Sequence, residues 1–236
     1  MSLLLGEAGG RYRLSSLRAS GGQGHVYEAT DEVDRRAVVV KINRLPGEAG
    51  LLARAAALRL AGLAEDPIAG PHLVPVWDLG SHEDRPFVVM ERLDRTLDAP
   101  LGDDPQPLQA ALALLLAADA LHRAGVVHGD LKPSNVFLRD EDDGGFVALF
   151  GDLWAETGEP ALSPGYSAPE LWRGARPTLA SDRYSLGASL LAVFAGSPPP
   201  CAVSGLRPRP PTRTELAVLP APLRDDRIDA RRRFRR

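Results

Sequence analysis

Cysteine is almost missing from this chain of 236 residues: Cys201 is the only one, so no internal disulfide can form and a reducing compartment is expected. A large excess of either charge is missing too. The formal net charge is −3 and the sequence pI about 6.0, which excludes an overall positive field for nucleic acid or an anionic membrane and leaves any polyanion to be bound locally. The opening Met1 to Gly6 has no basic start and only a short apolar run, so it does not read as a signal peptide. The most apolar stretches, Leu108 to Leu121 and Leu186 to Ala195, fall short of the roughly 20 residues a membrane helix needs. These absences predict a cytoplasmic protein with no membrane partner. What is present, 44% hydrophobic and 25% charged residues, suffices to bury a core in one domain or two closely packed lobes.

The first ninety residues are broken by turns and carry short β-branched runs. Ala37 to Ile42 and Phe87 to Met90 each read as a buried strand, and Glu48 to Leu63, rich in Ala, Leu and Arg and without proline, suits a helix. After Glu91 the character becomes mainly helical. Leu108 to Ala124 ends at Gly125 with His122 and Arg123 in its last turn, and Ser181 to Ala195 is closed by Gly196 and Pro198 to Pro200. From Cys201 proline and arginine dominate. The last thirteen residues hold seven arginines and three aspartates, a local charge of +4 that suits either a frayed, solvated tail or a docking segment for an acidic partner or nucleic acid.

Three constellations can carry chemistry. In Ala19 to Tyr27 the glycines Gly21, Gly22 and Gly24 lie between apolar positions of two candidate strands, where residues without a Cβ let backbone amides approach a phosphate. A plain Gly-rich turn is the alternative. Lys41 then emerges from an apolar strand, where an ammonium is costly unless it meets a carboxylate or a phosphate. Glu48 is the only acidic residue between Lys41 and Glu65, and is either the partner of Lys41 or an exposed helix-start glutamate. The strongest segment is His128-Gly129-Asp130-Leu131-Lys132-Pro133-Ser134-Asn135. Asp130, Lys132 and Asn135 offer a carboxylate for a hydroxyl proton, a cation for developing phosphate charge and an amide oxygen for Mg²⁺, the set that in-line phosphoryl transfer needs.

Taken in order, these segments resemble the eukaryotic-like Ser/Thr protein kinases over roughly residues 11 to 200, in a divergent form. His128 to Asn135 is similar to their His-x-Asp-x-Lys-x-x-Asn catalytic loop. Ala19 to Val26 resembles the glycine-rich loop, Val38 to Lys41 the strand of the nucleotide lysine, and Val88 to Leu93 the hinge. Ala168-Pro169-Glu170 matches the end of the activation segment, and Asp182 to Gly187 the start of the long buried helix.

The resemblance implies an α+β, bilobal protein-kinase-like fold. Its N-lobe over 1–91 is a small antiparallel sheet with one helix, its C-lobe over 92–200 is mainly helical, and a partly disordered remainder fills 201–236. It also implies roles. Asp130 is the catalytic base, Lys132 the phosphate-charge stabiliser, Asn135 a metal ligand, and Lys41, paired with Glu48, the contact to the α- and β-phosphates. Gly21, Gly22 and Gly24 admit phosphate. Met90 is the gatekeeper, Glu91 and Leu93 offer backbone bonds to adenine, and Val26, Val39 and Phe137 enclose it. Asp182 holds the catalytic loop, and Ser163 takes the place of a threonine beside the catalytic aspartate. ATP and Mg²⁺ are the implied cofactors and a protein hydroxyl the implied acceptor.

Four departures qualify this picture. Ala19 stands where the family has its first loop glycine. Gly129 replaces the arginine before the catalytic aspartate, so an activation-loop phosphate lacks its usual counter-ion there. Where the family has Asp-Phe-Gly the chain reads Leu149-Phe150-Gly151-Asp152-Leu153-Trp154. Asp152 is then the metal ligand after a one-residue slip, or an ungapped overlay leaves Gly151 there and no ligand. Forty residues follow Gly196, too few for the helices with which the family finishes its large lobe. A pseudokinase acting as a nucleotide-binding or scaffold module is therefore the alternative to an active Ser/Thr kinase. A small-molecule phosphotransferase shares the logic of Asp130 and Asn135 but not the later motifs.

Overall fold

The computed structural model describes residues 4–5, 10–20, 24–43, 59, 61–99, 106–142, 144–153, 162–196, 201–202 and 207–208. They fall in two compact units, one with described residues up to Asp94 and one from Arg95 onward.

The first unit is a six-stranded antiparallel sheet. Its strands are β1 (Leu4–Leu5), β2 (Tyr12–Ser20), β3 (Gly24–Asp31), β4 (Arg36–Asn43), β5 (Val76–His82) and β6 (Arg85–Glu91), in the order β1-β2-β3-β4-β6-β5. Side chains alternate across the pleat, so the run Val38 to Ile42 serves both faces. One face builds a core from Tyr12, Leu14, Ala29, Val38, Val40, Ile42, Phe87 and Val89. Tyr12 anchors it: its ring meets Phe87 edge-on at 6.3 Å and its hydroxyl donates to Asp78 at 2.6 Å. The β3–β4 turn is clamped by Asp31, which is fully buried. Its carboxylate accepts from Arg11 at 2.9 and 2.8 Å and from the backbone of Val33 and Asp34. The Arg11 bonds first, then the backbone donors, hold the Asp31 carboxyl down to about 2. The helix expected over Glu48 to Leu63 lies mostly outside the described residues; its described end, residues 59 and 61–63, is helical.

The second unit holds two helices among its described residues, α1 (Gln106–Arg123) and α2 (Leu179–Ala195), and a three-stranded sheet in the order β7-β8-β9: β7 (Arg95–Thr96), β8 (Val136–Asp140), β9 (Phe146–Phe150). That sheet adds to the mainly helical reading. Its apolar runs are too short for helices and bury Val136, Leu138, Ala148, Leu149 and Phe150 instead. Helix α1 buries mostly alanines, which allow close approach, while Leu108, Leu112 and Leu116 form an exposed ridge. It ends as expected at Gly125, whose φ of 71° only glycine adopts freely. Helix α2 begins earlier than Ser181. Thr178 is the N-cap and Ser181 its reciprocal partner three residues on, a capping box that puts the boundary before Leu179. Beyond Gly196, Cys201–Ala202 and Arg207–Pro208 form a short antiparallel pair, β10 and β11. None of the described helices is long and apolar enough to cross a membrane.

Candidate active site

The loop between α1 and β8 brings the sequence-predicted residues together around one carboxylate. Val126 N bonds back to Leu121 O at 2.9 Å as α1 ends, and the chain enters the loop at His128. Gly129 has φ 80°, a left-handed turn that a side chain would strain. Pro133 to Asn135 then closes a single 3₁₀ turn, with Asn135 N donating to Lys132 O at 3.0 Å. Lys132 and Asn135 are thereby folded back towards Asp130.

Asp130 is nine-tenths buried, and both its oxygens are engaged. Oδ2 accepts from Lys132 Nζ at 2.7 Å and Asn135 Nδ2 at 3.0 Å, while Oδ1 accepts from Ser163 Oγ at 2.8 Å. Lys132 Nζ also donates to Ser163 Oγ at 3.0 Å. Asn135 Nδ2 bonds Asp130 O as well, at 2.9 Å. Both Asn135 bonds go to acceptors, which assigns nitrogen to that side of the amide and leaves Oδ1 on the other. Ser163 is delivered by Ser163-Pro164-Gly165-Tyr166, a tight turn with proline second and a left-handed glycine third (φ 85°), closed by Tyr166 N to Ser163 O at 3.0 Å. Ser167 Oγ accepts from Ser163 N at 2.7 Å. Nothing in the sequence singled out Ser167, because its partner is defined only by that turn.

The loop's backbone is held by Asp182, which is 1% exposed. Its carboxylate accepts from His128 N at 2.7 Å and Gly129 N at 2.9 Å, and His122 Nε2 lies 3.4 Å away. His128 is itself buried, its Nδ1 accepting from Asp130 N at 3.3 Å and its ring meeting Phe150 edge-on at 5.2 Å. Its Nε2 has no hydrogen-bond partner among the described residues. Burial pushes the imidazole below its ordinary value, against the raising pull of Asp182, Asp130 and Asp152.

The β8–β9 ladder runs without a slip from Asp140 opposite Phe146 to Val136 opposite Phe150, and Gly151 N continues it by donating to Asn135 O at 3.1 Å. Gly151 thus stands beside Asn135 in register. Asp152 follows with φ 53° and Leu153 is buried at 6% exposure. Four described non-glycine residues have positive φ, and Arg35, Glu83 and Asp84 all close β-hairpins of the first unit. Asp152 is the one outside a hairpin. Trp154 lies outside the described residues.

A magnesium ion keeps water and phosphate oxygens among its ligands and needs one or two from the protein. The amide oxygen of Asn135 and the carboxylate of Asp152 fit that set. Among the described residues no group of three or more His, Cys, Asp or Glu side chains is placed to hold a metal by itself.

Four of the nucleotide candidates of the first unit share a face. Lys41 stands opposite Val26 and Val88, and Val39 opposite Glu28 and Met90, so the face turned away from the core carries Val26, Val39, Lys41 and Met90 together. Glu91 ends β6 opposite Val38, and Leu93 is buried just beyond. At Gly24 a Cβ would come within 2.2 Å of Ile42 O, so the close strand approach requires glycine. Phe137 lies on β8 opposite Leu149, half-buried. Gly21, Gly22 and Glu48 lie outside the described residues, so the Lys41–Glu48 pairing does too.

Comparison with known proteins bears on this geometry. Residues 14–209 match the family described as the protein kinase domain. The chain is 38% identical over 216 residues to the DNA damage-responsive serine/threonine-protein kinase RqkA of Deinococcus radiodurans, covering 80% of this chain and 30% of that protein. It is 37% identical over 195 residues to the serine/threonine-protein kinase PknK of Mycobacterium bovis, covering 75% of this chain and 17% of that protein. It is 32% identical over 236 residues to the serine/threonine-protein kinase PknD of Mycobacterium tuberculosis, covering 95% and 35%. The chain thus spans about a third or less of the length of these relatives.

Proposed function

The chain belongs to the protein kinase domain family, and from that premise we propose that it is an ATP-dependent Ser/Thr protein kinase with Asp130 as its catalytic base. The observation that carries the reading is the Ser163 hydroxyl lying 2.8 Å from Asp130 Oδ1, within the reach a general base needs to take a proton from a hydroxyl. In the reaction the acceptor's hydroxyl oxygen bonds to the γ-phosphorus of ATP as the bond from that phosphorus to the bridging oxygen of the β-phosphate breaks. ADP leaves and the hydroxyl proton passes to Asp130. Lys132, 2.7 Å from the base, offsets charge on the transferring group. Lys41, on the sheet face with Val26, Val39 and Met90, binds the α- and β-phosphates; Glu91 and Leu93 bind adenine through their backbone. Mg²⁺, when bound, neutralises phosphate charge. Asn135 and Asp152 would hold it.

The acceptor is a protein hydroxyl and the setting cytoplasmic, which the near absence of cysteine supports. Gly129 offers no cation to a loop phosphate, so switching by activation-loop phosphorylation is not expected. The test is transfer of labelled γ-phosphate from ATP with Mg²⁺ to a generic protein acceptor. The wild-type chain labels the acceptor, and Asp130→Asn lowers the rate by about 10²- to 10⁴-fold. A wild-type chain that binds ATP without metal and transfers nothing would instead be a pseudokinase.

A further inference from the structure

Strand β2 does not pair evenly with β3. The register breaks between Leu17, opposite Tyr27, and Ala19, opposite Val26, which leaves Arg18 as an extra residue in a β-bulge. Bulges re-aim side chains and occur next to functional sites. Arg18 Nη2 donates to the carbonyl of Leu93 at 2.6 Å, and Nη1 donates to Glu28 Oε1 at 3.1 Å and reaches Asp94 Oδ1 at 3.5 Å. Arg92 completes the cluster. Its Nε donates to Asp94 Oδ1 at 2.9 Å and lies 3.3 Å from Glu28 Oε2, which it holds by charge. Two arginines and two carboxylates therefore tie residues 92–94 to the β2–β3 hairpin. Their anchor, Glu28, stands opposite Val39, on the sheet face that carries Val26, Lys41 and Met90.

Arg18 is only a quarter exposed on its side chain, and the Leu93 bond is charge-assisted. A backbone carbonyl at the end of an edge-free segment could turn to water at little cost. Here it is instead held by a guanidinium delivered from another strand. We propose that Arg18 is a positioning residue for nucleotide binding: it fixes residues 91–93 in the conformation that receives the purine, and it uses the Leu93 carbonyl so that the base is met by the other backbone groups of that segment. The inference rests on the kinase reading and assigns a specific residue to its affinity for ATP. Preorganisation of this kind shows in binding, because an unfixed segment must be ordered when the ligand arrives.

The experiment compares wild-type, Arg18→Leu and Arg18→Lys chains by kcat and KM for ATP with Mg²⁺ and by direct binding of ATP, at low and high salt. Arg18→Leu raises KM and Kd for ATP by about tenfold, the size expected for loss of one charge-assisted bond, and leaves kcat within about twofold. Arg18→Lys keeps the charge beside Glu28 but cannot span both acceptors, and falls between the two. Raising salt weakens ATP binding more in wild type than in Arg18→Leu beyond the loss common to both, because only wild type has the ionic cluster to screen. A lowered melting temperature with unchanged KM and Kd would make Arg18 merely structural and overturn the inference. Should Arg18→Leu fail to fold, a wild-type KM in Arg18→Lys overturns it equally. A wild-type chain that binds no ATP overturns the kinase reading as well, and so is distinguishable from failure of this inference alone.

Discussion

Two stretches of the second unit lie side by side, the loop 128–135 and the segment 150–153, and each contains one left-handed residue. In the loop that residue is Gly129, which adopts φ 80° freely, and the polar groups around it are matched: Asp182 takes two backbone N–H groups and Asp130 takes three side-chain donors. In the segment it is Asp152, at φ 53°, where an L-residue costs about 1–2 kcal/mol and aspartate is among the better tolerated. Glycine sits one position earlier, at Gly151, and is not used to relieve that cost. The loop thus places its left-handed turn on a glycine, whereas the segment places its own on an acidic residue, the proposed metal ligand. Backbone strain of this kind collects at functional sites.

Breaking the loop has the largest consequence. Asp182→Ala removes the acceptor of two buried N–H groups, each costing about 1–3 kcal/mol when left unpaired, so chemical denaturation should show a loss of about 2–6 kcal/mol together with collapse of phosphotransfer. The segment breaks differently. Asp152→Gly relieves the left-handed strain while adding chain entropy, two effects of about 1 kcal/mol each that nearly cancel. Stability should therefore stay within about 1 kcal/mol of wild type while Mg²⁺-dependent transfer falls by at least about 10²-fold. A stable Asp152→Gly chain with full activity would erase the distinction between the two stretches. Gly129→Ala, which carries no chemistry, should cost about 1–2 kcal/mol and leave transfer largely intact in the folded fraction.

Acid acts on the two units differently. His128 is buried with its imidazole pushed below the ordinary value of about 6.5. Below that pH the unfolded chain binds a proton the folded chain refuses, so stability is complete above about 6.5 and falls as pH drops through it. Asp31 acts lower. Its carboxyl is held to about 2 against 3.8 in the free chain, so its contribution is present above pH 3.8 and is lost between there and about 2. Denaturation curves from pH 7.5 to 5 should decline in wild type. In Arg11→Ala the decline below pH 4 should be smaller, because the bond that depresses Asp31 is gone.

Much of this was legible in the sequence because it is local. The β-branched runs marked β4 and β6, Gly125 and Gly196 marked helix ends, and the spacing of Asp130, Lys132 and Asn135 marked the loop. Helix α2 begins before Ser181 because Ser181 is the third helical residue of a capping box set by Thr178. The bulge at Arg18 was hidden for a different reason. It depends on register and on a contact across 75 residues of chain, which no local pattern encodes. The meeting of Ser163 with Asp130, across 33 residues, is equally non-local and was legible only through the family resemblance. The left-handed backbone of Asp152 was hidden too, since it is set where the chain leaves the β8–β9 ladder beyond Gly151, which no local pattern encodes.

The proposed partnership of Asp152 with Asn135 in a Mg²⁺-dependent transfer by Asp130 can be read from the ATP-induced rise in melting temperature, measured with and without Mg²⁺ in wild-type and Asp152→Asn chains, alongside γ-phosphate transfer. Wild type should show a rise that Mg²⁺ enlarges, accompanied by transfer, and Asp152→Asn a rise that Mg²⁺ leaves unchanged, without transfer. Identical Mg²⁺ responses in the two chains, or a wild-type rise indifferent to Mg²⁺ with no transfer, would exclude that partnership.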